Sequence, residues 1–232
     1  MQRILVTGAA RGIGFEFVRC FLARGDRVFA AVRKPAGDAR WAELAGIYSG
    51  RLTVLTLDVS QLDSFVAFAD SLSDHTDALD LLINNAGLLP SGERFGSVEP
   101  LDLEQTFRVN AAAPLLLTQA LTSALARGLQ PKVLNLSSEL ASIAQRKAFS
   151  TPSYCISKAA LNMATRLMAF ELEQRGIGCA AVHPGWVKTD MGGANAPLAV
   201  EDSVRALIEF IERLAPEHYG GFFASDGRRL PW

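Results

Sequence analysis

Short apolar runs alternate with longer amphipathic stretches along the whole chain. The short runs are apolar on both faces, which is typical of parallel strands that carry helices on each side of the sheet. They predict strands at 3–7, 27–32, 52–58, 79–84, 132–137, 178–183 and 220–225. Between them, helical spacing of apolar residues predicts helices at 12–24, 38–46, 60–73, 101–127, 153–175 and 200–214.

This alternation predicts the fold class. Strand–helix–strand units join through right-handed crossovers, which place parallel strands in one sheet with helices on both faces. We therefore expect an α/β, Rossmann-type doubly wound parallel sheet of about seven strands. Because no linker, repeat or low-complexity tract interrupts the pattern, one domain over residues 1–232 is the simplest interpretation.

Composition excludes some classes of protein. Apolar residues make up 49% of the chain, enough for a sizeable core. The 23 Lys and Arg residues nearly balance the 24 Asp and Glu residues, and the net charge is -1. A general nucleic-acid binder would show a basic face, so we expect no nucleic-acid partner.

The sequence also bears on compartment and metal binding. Three widely spaced cysteines without a CxxC favour a reducing compartment rather than a disulfide framework or a zinc site. No histidine cluster has metal-ligand spacing, so we expect no metal. A strand predicted from residue 3 leaves no room for a leader peptide, and no apolar run approaches the ~20 residues of a membrane span. We expect a cytoplasmic protein without a membrane partner.

The stretch "TGAARGIG" (7–14) follows the first predicted strand and opens the first predicted helix. Gly8, Gly12 and Gly14 allow a tight turn, close approach of a pyrophosphate and close helix–strand packing. The helix N-terminus offers free N–H groups and a positive dipole end to phosphate. Glycines alone are a weak signal, but in this context they predict a dinucleotide site.

The end of the second predicted strand indicates which dinucleotide binds. An NAD-selective site places Asp or Glu here to bond the adenosine ribose, whereas this chain has Ala31, Val32 and Arg33. Arg11, inside the glycine loop, can reach the same region. Because two guanidinium groups can clamp a 2′-phosphate, we predict NADP(H) over NAD(H). The alternative is that Arg33 is a solvated loop residue.

Further motifs follow in order along the chain: Asp58-Val59, "NNAG" (84–87), Asn110, "NLSS" (135–138), Tyr154-x-x-x-Lys158 and "PGWVKTDM" (184–191). Together with the glycine loop they resemble the short-chain dehydrogenase/reductase family, in its compact one-domain branch, over essentially the whole chain. The segments "SKAALNM", "PGWVKTDMGG" and "DGRRLPW" resemble more closely its C-factor-like and sniffer-like carbonyl reductases.

The resemblance implies a role for each matching residue. Asp58 and Val59 would lie against the adenine, and Asn85, Ala86 and Gly87 along the adenosine ribose. The full implied cofactor set is Thr7, Gly8, Arg11, Gly12, Ile13, Gly14, Arg33, Asp58, Val59, Asn85, Ala86, Gly87, Tyr154, Lys158, Pro184, Gly185, Val187 and Thr189. The implied catalytic set is Tyr154 as acid/base, Lys158 as its partner, Ser138 as the carbonyl-orienting hydroxyl and Asn110 as holder of a water relay.

The spacing of Tyr154 and Lys158 has a chemical reason. Residues i and i+4 share one helix face, with Cβ atoms ~5–6 Å apart. The pKa of tyrosine is ~10, roughly three units above the useful value, a difference of ~4 kcal/mol. A unit charge ~4 Å away supplies about that much at an effective dielectric of ~20, although burial of the phenol opposes it. The alternative is a packed tyrosine followed by a solvated lysine.

Ser138 and Asn110 complete the expected chemistry. Ser138 ends a predicted strand, where ligands bind in open α/β sheets, and could donate to a carbonyl oxygen or merely cap a turn. Its separation from Tyr154 is a few residues longer than is usual in the family, which could reshape the pocket wall. Pro114 cannot donate to the carbonyl of Asn110, which could then hold a water near Lys158; the alternative is an ordinary proline kink.

These expectations combine into an NADPH-dependent carbonyl reductase that acts on a small aldehyde or ketone, with a substrate loop at about 186–199. Apolar residues on more than one face of the helix at 153–175 indicate, with the resemblance, a homodimer or homotetramer. One alternative is a nucleotide-binding signalling or interaction protein of C-factor type with little turnover. Another is a nucleotide-sugar epimerase, whose glycine spacing and C-terminal substrate region this chain lacks.

Overall fold

Strands and helices alternate in the computed structural model, which describes residues 1–35 and 38–232. The strands are β1 (Arg3–Thr7), β2 (Arg27–Val32), β3 (Leu52–Thr56), β4 (Leu81–Asn84), β5 (Lys132–Leu136), β6 (Gly178–His183) and β7 (Phe222–Ala224). The helices are α1 (Gly12–Arg24), α2 (Ala39–Ile47), α3 (Phe65–Ser73), α4 (Pro100–Phe107), α5 (Ala113–Ala126), α6 (Pro152–Glu173) and α7 (Val200–Arg213).

All seven strands pair in parallel, in the order β3-β2-β1-β4-β5-β6-β7. The predicted Rossmann-type sheet is therefore confirmed. The chain moves outward from β1 to β3 and then returns to place β4 on the other side of β1. This reversal opens a crevice at the carboxyl ends of β1 and β4, where ligands bind in folds of this kind.

Alternate residues of each strand feed two core layers. In β1, Ile4 and Val6 pack into the layer that contains α1 and α7. Leu5 points to the opposite layer, which contains α3, α5 and α6. Because both faces of the strand are buried, its sequence reads as a continuous apolar run rather than an alternating one.

The predicted helix over 101–127 is interrupted. The helix α4 ends at Phe107, a π-helical turn spans Arg108–Ala112, and α5 begins at Ala113. In this turn the Ala113 N–H donates to the Arg108 carbonyl. Pro114 explains the break, because it has no N–H for a regular helical bond and widens the preceding turn.

The same stretch corrects the expectation that no apolar run approaches the length of a membrane span. By length and composition, Pro100–Ala126 is long and apolar enough to cross a bilayer, whereas no such run is predicted above. In this fold Leu117, Leu121 and Leu125 are buried in the core beside the sheet. A buried core helix meets the same criterion, so this feature is weak support for a span.

Asp80 anchors the end of the sheet opposite the crevice. Its buried carboxylate accepts hydrogen bonds from the Arg3 main chain at 2.7 Å, from the Arg3 guanidinium at 2.9 and 3.0 Å, and from the Leu129 N–H at 2.6 Å. Burial alone would raise the pKa of Asp80, but these donors lower it below its ordinary value. The ionised carboxylate is therefore part of the folded structure.

We expect Asp80→Ala to lower the free energy of unfolding by ~3–5 kcal/mol, because it leaves buried donors unpaired. Since folding lowers the pKa of Asp80, its contribution exists above the unfolded pKa and is lost as pH falls through the folded pKa. Urea denaturation at neutral and acid pH measures both effects. Asp77, 3.7 Å from Arg3 and 88% exposed, is the matched control, and Asp77→Ala should cost at most ~1 kcal/mol. Equal losses in the two variants would contradict this account.

Candidate active site

The glycine loop between β1 and α1 packs tightly against the end of β4. A Cβ atom at Gly14 would lie 2.4 Å from the Gly8 carbonyl oxygen and 2.5 Å from Asn85 Nδ2. Gly8 has a φ of 63°, a left-handed conformation that favours glycine. Neither position accepts a side chain without a shift of the loop, so glycine is required at both for the loop to pack against the end of β4.

Thr7 and Asn85 hold this loop in shape. Thr7 Oγ1 accepts hydrogen bonds from the N–H groups of Asn85 and Ala86 at 3.0 and 3.1 Å. The Asn85 side-chain amide donates to the carbonyls of Thr7 and Gly8 at 2.8 and 3.2 Å. Motif residues from β1 and β4 are thus brought together. The side chain of Asn85 shapes the loop, a role the resemblance did not indicate.

The N-terminus of α1 fits an anion. Arg11 precedes the helix without a side-chain capping bond, and the first turn holds no acidic residue. The first N–H with a helical acceptor is that of Phe15, which donates to the Arg11 carbonyl. The N–H groups of Gly12, Ile13 and Gly14 therefore lack helical acceptors and lie at the positive end of the dipole. Together with the glycine cradle, this donor set fits a dinucleotide pyrophosphate.

Arg33 and Asp58 follow neighbouring strands. Arg33 is exposed just beyond β2, while Asp58 accepts hydrogen bonds from the Ser60 N–H and hydroxyl at 3.0 and 2.8 Å. These bonds and the positive charge of Arg33 lower the pKa of Asp58 against the effect of burial. Val59 packs at the edge of the core beside them. The predicted adenosine residues therefore share one edge of the sheet.

Arg11 has an ion-pair partner that the sequence did not indicate, and its reach toward the region of Arg33 stays a prediction. Its guanidinium pairs with the Asp190 carboxylate at 2.7 Å, and both side chains are mostly exposed. Asp190 lies 179 residues further along the chain, so only the fold brings it to Arg11. An exposed pair of this kind is worth at most ~1 kcal/mol, so Arg11 can exchange it for a phosphate.

A further cation, Arg40, was not recognised from the sequence. Its guanidinium donates to the Ala10 carbonyl at 3.0 Å, lies 4.7 Å from the Phe15 ring centroid and pairs with Asp38 at 2.6 Å. No local pattern indicates these contacts, because Ala10 and Phe15 lie far from Arg40 in the sequence. Arg40 supports the outer side of the glycine loop.

Tyr154 and Lys158 share one face of α6, as their spacing predicts. Both are buried, and Lys158 Nζ lies 5.7 Å from the Tyr154 ring centroid. The same Nζ donates to the Leu136 carbonyl at 2.6 Å, at the end of β5. The phenol and the amine therefore occupy the same compartment, next to Ser138.

Burial dominates the acidity of this pair. It raises the pKa of Tyr154 to about 12, although an interaction with Ser138 opposes the rise, and it lowers the pKa of Lys158 to about 7. The free chain thus differs from the expectation that Lys158 acidifies the phenol. The reason is that burial disfavours the charged form of each group, the phenolate of Tyr154 and the ammonium of Lys158.

Ser138 both caps a turn and faces the phenol. Its Oγ accepts the Leu140 N–H at 3.2 Å, at the start of the 3₁₀ turn Glu139–Ala141. Because this bond uses the oxygen as acceptor, the hydroxyl hydrogen stays available to donate. Ser137 instead donates to Asn162 Oδ1 at 2.7 Å inside the protein. Of the two serines, Ser138 is the one whose hydroxyl interacts with Tyr154.

Asn110 lies in the π-helical turn. Its side chain accepts the Leu88 N–H and donates to the Leu88 carbonyl, both at 2.8 Å, and donates to Ser157 Oγ at 3.0 Å. Gly87 lies beside it, with its Cβ position 3.5 Å from Asn110 Oδ1. The side chain is therefore engaged within the protein, and the main-chain carbonyl is the group left for the predicted water relay, which stays a prediction.

The loop after β6 is held by its own contacts. Val187 pairs with Leu198 in an isolated bridge, and Thr189 Oγ1 accepts the Gly192 N–H at 3.0 Å. The Thr189 methyl group lies 3.2 Å from the Cβ position of Gly12, so this loop lies against the glycine loop. The expected substrate loop at 186–199 is thus adjacent to the predicted cofactor residues of the glycine loop.

Pro184 and Gly185 form the near end of this loop. The Pro184 carbonyl accepts the Ser203 hydroxyl at 2.7 Å. Gly185 has a φ of 90°.

On the outward face of α6, exposed apolar side chains follow a helical stripe at Ile156, Met163, Leu167 and Phe170. The predicted homodimer or homotetramer, and the cytoplasmic location, stay predictions.

Comparisons with known proteins agree with this geometry. A family model described as short chain dehydrogenase matches residues 2–197. The C-signal of Myxococcus xanthus is 41% identical over 166 residues, which cover 72% of this chain and 99% of that protein. The carbonyl reductase Sniffer of D. melanogaster superposes with a TM-score of 0.94 at 31% identity, over 100% of both chains. The NADPH-bound carbonyl reductase from chicken fatty liver gives a TM-score of 0.93 at 34% identity, over 100% of this chain and 99% of that one.

Proposed function

The chain belongs to the short-chain dehydrogenase family, and on this premise we propose that it is an NADP(H)-dependent oxidoreductase that reduces an aldehyde or ketone to an alcohol. One observation carries the proposal: Tyr154, Lys158 and Ser138 meet at the end of β5, on the same edge of the sheet as the glycine loop. Structural relatives described as carbonyl reductases, one of them with NADPH bound, support it.

The residues present fit a nicotinamide dinucleotide. The open N-terminus of α1 at the glycine loop suits its pyrophosphate, and the segment 184–189, which contacts the glycine loop through Thr189, would hold its nicotinamide end. When bound, the cofactor supplies the hydride. The chain supplies the hydrogen bonds and the proton.

Ser138 and Tyr154 bind the carbonyl oxygen of the substrate. The Ser138 hydroxyl donates a hydrogen bond that stabilises charge as it develops on that oxygen. The Tyr154 phenol then donates its proton. A pKa of about 12 in the free chain keeps the phenol protonated at neutral pH, and an aliphatic alkoxide is a stronger base than a phenolate. Proton transfer toward the alcohol is therefore downhill, which favours reduction.

Lys158 and Asn110 complete the proton path. Lys158 is buried beside the phenol, and its pKa of about 7 lets it gain or lose a proton near neutral pH. Asn110 lies in the π-helical turn, and its main-chain carbonyl has no regular helical donor because Pro114 has no N–H. We assign to Lys158 and a water at this carbonyl the return of a proton to Tyr154.

A signalling protein with little turnover is the weaker candidate. The similarity to the C-signal covers 72% of this chain, yet Asn110, Ser138, Tyr154 and Lys158 are all present. NADPH consumption with a panel of aldehydes, ketones and quinones tests the proposal, and we expect turnover with at least one class. Tight cofactor binding without turnover across the panel would contradict it and favour the signalling protein.

Replacement of Arg33 by Ala is expected to weaken NADPH binding ~10- to 100-fold and leave NADH binding nearly unchanged, because a charged hydrogen bond to the 2′-phosphate is worth ~1.5–3 kcal/mol. Fluorescence titration of both cofactors measures the ratio. Lys34→Ala, a neighbouring exposed cation, is the control and should change the ratio little. A preference of the wild type for NADH would overturn the assignment.

A further inference from the structure

A buried carboxylate lies in the segment between β4 and α4, outside the residues discussed so far. Glu93 is 5% exposed. Its Oε1 accepts a hydrogen bond from the Ser153 hydroxyl, and its Oε2 is buried without a hydrogen-bond partner among the described residues. Burial of a carboxylate with so few partners is costly, so the single bond to Ser153 calls for an explanation.

Ser153 immediately precedes Tyr154, at a helix start that lacks its own cap. Thr151, the N-cap residue of α6, makes no side-chain capping bond and has a φ of 42°, a left-handed conformation that is strained for a β-branched residue. The first turn of α6 therefore depends on contacts from elsewhere in the fold.

Those contacts come from Glu93 and from Asn110. Ser153 bonds Glu93, and Ser157 accepts a hydrogen bond from Asn110, whose side chain also binds both main-chain groups of Leu88. Ser157 in turn donates to the Tyr154 carbonyl at 2.8 Å. Both serines are fully buried, so the two tethers are shielded from water.

The two serines and the two catalytic candidates form parallel pairs on α6. Ser153 and Ser157 are four residues apart, as are Tyr154 and Lys158, and each serine precedes its neighbour by one residue. Successive helical residues are rotated by about 100°, so holding one pair sets the rotation of the other. A tether at Ser153 therefore controls where the phenol points.

We propose that Glu93 is a positioning residue for Tyr154, acting through its hydrogen bond to Ser153. This inference rests on the proposed reductase function. Glu93 holds the first turn of α6 so that the phenol meets the substrate oxygen, and the bond itself needs an acceptor at this position rather than a charge.

Four variants test this role: Glu93→Ala, Glu93→Gln, Ser153→Ala and the Glu93→Ala/Ser153→Ala double variant. In the two single alanine variants we expect kcat to fall ~10- to 100-fold, since a small misplacement of a catalytic group has effects of this size. KM and NADPH affinity should change little. Glu93→Gln should retain most of the activity because its oxygen can still accept from Ser153. The kcat of the double variant should be no lower than that of the more impaired single variant, since each substitution removes the same hydrogen bond.

Glu99→Ala, an exposed carboxylate in the same segment, is the matched control and should keep its kcat. Unchanged kcat in Glu93→Ala, or a rise of KM alone, would overturn the proposal; the latter would make Glu93 a substrate-binding group. If Glu93→Ala does not fold, Glu93→Asp, which is too short to reach Ser153, replaces it.

Amide hydrogen exchange of residues 150–158 separates this inference from the function. Faster exchange there in Glu93→Ala and Ser153→Ala than in Glu99→Ala, at equal global stability, supports the tether even if the wild type reduces no substrate tested. Unchanged exchange would overturn the tether, whereas absence of wild-type turnover would contradict only the proposed function.

Discussion

Tyr154→Phe is expected to lower kcat for carbonyl reduction by ~10²–10⁴-fold, the usual contribution of a general acid, with NADPH affinity nearly unchanged. Phenylalanine keeps the packing of this buried ring and removes only the proton donor. Steady-state kinetics with the best substrate of the panel, together with cofactor titration, measure both quantities.

Tyr48→Phe is the matched control, because Tyr48 follows α2 and packs against the core layer that contains α1 and α7, whereas Tyr154 lies on α6. It should retain full activity. Since the free-chain pKa of Tyr154 is about 12, the wild-type reduction rate should not fall through loss of the phenol proton at neutral pH. Retention of most activity in Tyr154→Phe would remove this residue from the mechanism and leave Ser138 as the remaining candidate at the carbonyl oxygen.

Lys158→Met is expected to lower turnover and to remove a pH dependence from the stability of the free protein. Folding lowers the pKa of Lys158 from 10.5 to about 7. Between these values the unfolded state binds one more proton than the folded state, so the free energy of unfolding of the wild type rises with pH by up to ~1.4 kcal/mol per unit. Below pH ~7 Lys158 is charged in both states, so the folded protein bears the full free-energy cost of burying its ammonium.

Urea denaturation of both proteins without cofactor, at pH 7 and pH 9, measures this difference. Lys132, whose pKa burial also lowers, is present in both proteins and cancels in the comparison. The stability of Lys158→Met relative to the wild type should therefore fall as pH rises. Parallel pH profiles would show that Lys158 titrates normally in the folded chain and would refute its assignment as a proton carrier near neutral pH.

Local signals account for most of what could be predicted. The run "RILVT" is apolar on both faces because β1 lies inside the sheet, and the glycines of 7–14 are required where the loop approaches Asn85. The spacing of Tyr154 and Lys158 placed them on one helix face without knowledge of the fold. Pro114 marked the Asn110 carbonyl as lacking a regular helical donor, but the helix was predicted as continuous over 101–127, and the π-helical turn that interrupts it was not predicted.

The sequence by itself determined the order of strands and helices, the glycine cradle and the pairing of phenol with amine, since each depends on residues within one turn or one element. Only the tertiary structure decided that burial raises the pKa of Tyr154, that Arg11 bonds Asp190, and that Glu93 accepts a hydrogen bond from Ser153. Burial and long-range contacts depend on how distant segments pack together, and no local pattern encodes them.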